Sequence, residues 1–174
     1  MIFLIHIESL KQSEHDLDFL MDMMYESIHI PENKPPKEEL LNLPHLKKYN
    51  EGWGRKGDRA LIAFEDNIPV GAAWYRLFTE DQKGYGFVND KTPELGIAVT
   101  TKARGKGIGN LLMEKLFETA SRDGYTSLSL SVDPKNHQAV QLYKKLGFEQ
   151  CGSSGTSWTM IYTIPSTKRD VLTE

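Results

Sequence analysis

The chain has 174 residues, of which 39% are hydrophobic and 26% charged, with a formal net charge of -3, the profile of one globular domain long enough to bury a core. The negative balance argues against a general nucleic-acid binder. The single cysteine, Cys151, rules out an internal disulfide and points to a reducing, cytoplasmic setting with an inert thiol. Met1 to Ile7 is apolar but lacks the basic leader and length of a signal peptide, and no run reaches the length of a membrane span, so no targeting segment and no membrane partner are expected. Residues 1–93 carry 11 Lys+Arg against 16 Asp+Glu and residues 94–174 carry 10 against 8; an acidic half suits a cationic amine, and it also fits an ordinary solvated surface.

In chain order, Ile2 to Ile7 reads as a first strand. Ser13 can cap a helix with Asp16 three residues on, and Leu17, Leu20, Met21, Met24 and Ile28 then form its apolar stripe, with Met23 and Met24 as core residues. Pro31, Pro35 and Pro36 end that helix, and Lys37 to Glu51 predicts one or two short helices broken at Pro44. Gly52-Trp53-Gly54-Arg55-Lys56-Gly57 matches the dinucleotide fingerprint by letter, but a polar segment precedes it and a strand follows it, so it reads as a turn. Asp66-Asn67 reverses the strand Arg59 to Glu65 into Val70 to Phe78, a hairpin. Thr79 to Pro93 is a loop or ragged strand, and its Tyr85 and Phe87 are candidates to border a cleft.

From Glu94 to Gly124 the chain joins a strand, a glycine loop and a helix. Glu94 to Val99 is a short apolar run that predicts a buried strand, with Leu95, Ile97 and Val99 on one face and Glu94, Gly96 and Ala98 on the other. Ile108, Leu111, Leu112, Leu116 and Ala120 then follow a helical period, and Gly124 stops the helix. Between them, Arg104-Gly105-Lys106-Gly107-Ile108-Gly109 opens the helix with backbone N–H groups uncovered by side chains. Such an end attracts an anion, which two flanking cations reinforce; diphosphate is the natural guest, and a glycine-rich turn with two solvated basic residues is the alternative. Thr126 to Val132 is a second buried strand with Ser127, Ser129 and Ser131 on one face, so strand, helix and strand form a parallel crossover. Gly96 marks either a bulge that frees backbone groups near Ile97 to Val99 or a position of tight helix packing.

Asn136 can cap a further helix, and Tyr143, seven residues on, shares its face. Gly147-Phe148 ends that helix and starts a strand to about Cys151; Ser157 to Ile164 is the last strand. The five histidines show no metal-ligand spacing.

Two stretches carry a family resemblance. Arg104-Gly105-Lys106-Gly107-Ile108-Gly109 is similar to the Arg/Gln-x-x-Gly-x-Gly/Ala signature of the GNAT superfamily of acetyl-CoA-dependent N-acyltransferases. Asn136 to Phe148, NHQAVQLYKKLGF, resembles that family's N-x-x-A-x-x-L-Y-x-x-x-G-F helix. His137 departs from the proline that many relatives carry there, a residue favoured but not required at a first helical position. The resemblance implies an α/β, GNAT-like three-layer fold, a mixed central β-sheet flanked by α-helices, in one domain over residues 1–165 with a polar tail at 166–174. It implies transfer of an acetyl group from acetyl-CoA to a primary amine by direct attack, with no metal; a homodimer is compatible with it. It implies cofactor contacts at Ile97, Ala98, Val99, Arg104, Gly105, Lys106, Gly107, Ile108, Gly109, Asn136 and Tyr143, with Tyr143 beside the sulfur as acid. It implies less firmly that Glu94 is the base; a solvated strand-end carboxylate is the other reading. Tyr49 and Trp53 fall on the segment that lies over the acceptor in such proteins. A non-catalytic acyl-CoA-binding module would keep the loop and lose the acceptor chemistry.

Overall fold

The computed structural model describes residues 4–165. Its strands are β1 (Ile5–Ser9), β2 (Arg59–Glu65), β3 (Ile68–Arg76), β4 (Glu94–Val99), β5 (Ser127–Val132), β6 (Glu149–Ser154) and β7 (Ser157–Thr163). Its α-helices are α1 (Glu14–Ser27), α2 (Lys37–Leu41), α3 (Pro44–Lys47), α4 (Ile108–Arg122) and α5 (His137–Leu146). One seven-stranded sheet has the order β1-β2-β3-β4-β5-β7-β6. It is mixed, because β4 runs parallel to β5 while β1/β2, β2/β3, β5/β7 and β6/β7 are antiparallel. Parallel neighbours cannot be joined by a tight turn, and α4 is the crossover that joins β4 to β5. The expected tail at 166–174 and the first residues of the expected Ile2–Ile7 strand lie outside the described residues.

The described residues group into two compact units: those up to Tyr75 with Gly96–Leu116, and Arg76–Leu95 with those from Phe117 onward. In the first, Ser13 Oγ accepts from Asp16 N (3.2 Å) to cap α1. The Asp16 carboxylate returns its bond to Lys11 N (2.8 Å) rather than to the cap residue, a capping box displaced by two residues. Leu20, Met23 and Met24 then pack with Leu41, Ala60, Ala72 and Trp74. Leu20 is fully buried, so truncating it to Ala would cost about 2–5 kcal/mol. Asp66 and Asn67 both adopt positive φ, 50° and 68°, the pattern of the tight turn whose twist suits a two-residue hairpin. The hairpin therefore closes where expected, though β3 starts at Ile68 and ends at Arg76. Pro44 divides the Lys37–Glu51 segment into two short helices, and the Gly52–Gly57 stretch is a run of turns with Asp58 Oδ2 accepting from Gly54 N and Arg55 N.

On α4 the buried positions are Ile108, Leu112, Met113, Leu116, Phe117 and Ala120, while Leu111 is 43% exposed. The predicted stripe thus misplaced Leu111 and omitted Met113 and Phe117: periodicity fixes the helix, and the packed surface decides which flank of the stripe is covered. In the second unit Phe117 stacks on Tyr162 (centroids 4.1 Å) and both meet Phe148. All five buried polar or charged residues among the described ones, Arg76, Thr92, Glu94, Ser129 and Thr159, belong to this second unit.

Candidate active site

In the first unit, β4 delivers the chain through a short 3-10 turn, Thr101–Ala103, into the glycine loop. Gly105 and Gly107 both have φ +80°, and a Cβ on either would meet no atom within 4 Å. The glycines are therefore needed for the backbone path, and the space their side chains would fill is open. Gly107 O accepts from Leu111 N (3.2 Å), so the amides of Ile108, Gly109 and Asn110 precede the first helical bond. The first turn of α4 holds no acidic residue. Ile108 is 1% exposed; its side chain anchors the helix start, and what it offers a ligand is its backbone N–H.

The two cations of the loop are already engaged. Arg104 Nε donates to Val99 O (3.1 Å), tying the loop back to the end of β4. Lys106 Nζ reaches both carboxylate oxygens of Glu65, at 3.0 and 3.2 Å. The expectation of two full charges added to the anion site is corrected for Lys106, whose charge faces a carboxylate on the hairpin; Glu65 is 41 residues away in sequence, beyond any local pattern. Of the expected contacts on β4, Ala98 packs against the α1 core cluster. At Gly96 a Cβ would lie 2.5 Å from the Trp74 indole, so the glycine makes room for that ring rather than for a packed helix. Trp53 also packs against the α1 cluster.

In the second unit Glu94 is only 6% exposed, and its Oε1 accepts from Gly86 N (2.9 Å). The reading of a solvated strand-end carboxylate is overturned. Gly86 is pressed onto β5, where a Cβ would lie 2.6 Å from Leu130 C, and Thr159 Oγ1 donates to Tyr85 O (3.2 Å). The Tyr85–Gly86 segment is therefore held to β4, β5 and β7 at once. The ladder of β4 with β5 registers at Glu94↔Ser129. Ser129 Oγ is fully buried and among the described residues has no hydrogen-bond partner, an uncommon state for an interior hydroxyl.

Asn136 caps α5, its Oδ1 accepting from Ala139 N (3.4 Å). Tyr143 lies on the same helix, its ring 5.8 Å from Phe148. The residue is partly exposed, yet the packing around its phenol removes enough water to push its pKa up to about 12. Its hydroxyl has no hydrogen-bond partner among the described residues. Cys151 lies on exposed β6 with its Sγ 3.6 Å from Thr159 O, and loss of hydration at the sulfur raises its pKa, the opposite of an activated thiolate. Sequence reasoning missed Arg76, 2% exposed at the end of β3. An arginine inside the apolar run Val70 to Phe78 was the available signal, since a guanidinium is buried only among partners. Among the described residues no helix is long and apolar enough to cross a membrane, and no group of three or more His, Cys, Asp or Glu could hold a metal ion.

A parallel crossover whose helix opens on a glycine loop with no acid in its first turn defines an α/β protein with backbone N–H groups uncovered at that helix start. The chain matches the acetyltransferase (GNAT) family over residues 19–148 and belongs to it. It is 32% identical over 95 residues to "Probable N-acetyltransferase san" of Drosophila melanogaster, covering 53% of this chain and 48% of that protein; it spans about half the length of the relatives it matches. Its fold is similar to that of a paia N-acetyltransferase from Thermoplasma acidophilum solved in complex with coenzyme A (TM-score 0.63, 22% identity, covering 91% and 99% of the two chains). It is also similar to a ribosomal-protein-alanine N-acetyltransferase from Brucella melitensis (TM-score 0.63, 24% identity, covering 92% and 99%).

Proposed function

We propose that this chain transfers an acetyl group from acetyl-CoA to a primary amine by direct attack in a ternary complex. The observation that carries the reading is the loop Arg104 to Gly109: two left-handed glycines with open space above them, at the start of a helix with no acid in its first turn. This is the local chemistry that accepts a diphosphate. Family membership and the coenzyme A complex of a fold neighbour support acetyl-CoA as its source. The pantetheine arm then bonds the backbone of Ile97, Ala98 and Val99.

In the reaction the neutral amine nitrogen forms a bond to the thioester carbonyl carbon, a backbone N–H near Val99 stabilises the oxyanion, and the C–S bond breaks as the carbonyl reforms. Glu94, directly or through water, takes the proton that the ammonium must lose. Its burial supports that role, and its bond from Gly86 N leaves the base fixed in place. Tyr143 donates a proton to the departing thiolate, and the proton that the newly acylated nitrogen must lose returns to the phenolate, directly or through water, which restores the acid. With a pKa of about 12 the phenol is fully protonated at neutral pH. Donation to a sulfur of ordinary pKa about 8.5 is uphill by several units, and the same dry surroundings offset part of this by raising the thiolate's own pKa.

The test is release of free CoA thiol from acetyl-CoA across a panel of small amines, peptide N termini and lysine peptides. Acceptor-dependent thiol release with at least one amine is expected. Binding of acetyl-CoA with no thiol released by any acceptor would leave a binding module in place of an enzyme.

A further inference from the structure

The lysine of the glycine loop does not wait for its ligand unpaired. Lys106 Nζ lies 3.0 Å from Glu65 Oε1 and 3.2 Å from Oε2, at the tip of the β2–β3 hairpin. The lysine side chain is 38% exposed and the glutamate only 14%, so the carboxylate is the more enclosed partner and the lysine the one open to solvent. Thr100 N donates to Val70 O (2.8 Å), which ties the segment leading into the loop to the same hairpin. The pair is therefore anchored on both sides. An acid beside a site for an anion is opposed by simple electrostatics, since like charges this close lower affinity.

We propose that Glu65 is the resident counter-anion of the cofactor loop: it occupies Lys106 in the free protein, and the diphosphate of CoA must displace it to bind. The proposal rests on the reading of Arg104 to Gly109 as the diphosphate cradle. The exchange sets a threshold. A ligand has to offer Lys106 more charge than one carboxylate does, so a diphosphate succeeds where a singly charged anion gains little. Glu65 is thus an affinity- and selectivity-setting residue for the cofactor.

The test is calorimetric titration of CoA into the whole chain and into Glu65→Gln, Lys106→Met and the double variant, at low and high ionic strength, with thermal melts to confirm folding. Glu65→Gln keeps the side chain's shape and removes its charge. It should tighten CoA binding by about 3- to 10-fold at low ionic strength, the scale of a partly exposed ion pair, and the gain should shrink as salt rises. It should also make binding more sensitive to competition by inorganic phosphate. In the Lys106→Met background the same substitution should gain little. Unchanged or weaker CoA binding by folded Glu65→Gln overturns the proposal, as does a gain that persists undiminished without Lys106, because the carboxylate would then act on the ligand directly. Gly107→Val separates this from the parent reading. If Gly107→Val loses CoA affinity while Glu65→Gln gains none, only the counter-anion proposal fails; if folded Gly107→Val binds CoA as the wild type does, both fail.

Discussion

The two compact units differ in what they bury. Arg76, Thr92, Glu94, Ser129 and Thr159 are buried in the second, while in the first a hydrophobic cluster packs around Leu20, Met23, Met24 and Trp74. Burying a polar group costs free energy unless it is paired, so proteins keep such groups where they are used or fully bonded. The first unit instead offers backbone donors, at the start of α4. The difference separates two tasks. On the proposed reading, backbone geometry in the first unit would bind the cofactor's anionic end, and side chains in the second would move protons. Substitutions in the second should therefore change turnover, and those in the first should change affinity.

The largest effect is expected at Glu94. Glu94→Gln keeps an acceptor for Gly86 N and removes basicity, so kcat near neutral pH should fall roughly 10²- to 10⁴-fold and recover partly as pH rises. Wild-type rates across that range would remove Glu94 as the base. Tyr143→Phe should come next, lowering kcat on the order of 10²-fold while leaving the Kd for acetyl-CoA within about 2-fold. Its pH dependence has a definite sign. The phenol is the acid only while protonated, and its pKa is raised to about 12; ionisation of Tyr143 should therefore cause no loss of kcat on the alkaline side until pH approaches that value. An alkaline limb near pH 9 that Tyr143→Phe abolishes would contradict the assignment.

Gly107→Val tests the affinity side. A branched residue at φ +80° is strained by about 1–3 kcal/mol, and its side chain intrudes where the diphosphate must approach. The Kd for CoA should rise at least about 10-fold, with acceptor KM little changed; unchanged affinity in the folded variant would remove the loop from the account. The smallest effect belongs to a second helix start in the first unit. α1 is closed by Ser13 and carries Glu14 and Asp16 in its first turn, so Ser13→Ala should cost about 1 kcal/mol of stability and leave CoA binding untouched. A loss of CoA affinity there would break the distinction between a capped helix end and an open one.

What was legible in the sequence was local. The change from a period of 2 to one of 3.6 around Arg104–Gly109 places β4, the loop and α4 to within a residue, because pattern, glycines and helix stop all lie in one run of chain. Asp66-Asn67 fixed its hairpin in the same way, and Ser13 and Asn136 their helix starts. Contacts between distant segments were not legible. Nothing near Lys106 announces Glu65, nothing near Glu94 announces the amide of Gly86, and only the fold puts the Trp74 indole over Gly96. Leu111 was misassigned for a related reason: a stripe on a helix has two flanks, and the surface it packs against, not its own spacing, decides which one is covered. The candidate site was thus readable as residue types and order, while its charge balance was not, since that depends on Glu65 and on the burial of Glu94.

The central claim is that the open start of α4 holds the diphosphate of CoA. Titrating CoA into the isotopically labelled chain and following backbone amide shifts tests it most directly. The amides of Gly105, Gly107, Ile108 and Gly109 should move strongly and saturably, at a Kd equal to the calorimetric one, while those of His15 and Asp16 in the first turn of α1 stay in place. Saturable binding of CoA that leaves the Gly105–Gly109 amides unmoved, or shifts both helix starts alike, would contradict the account.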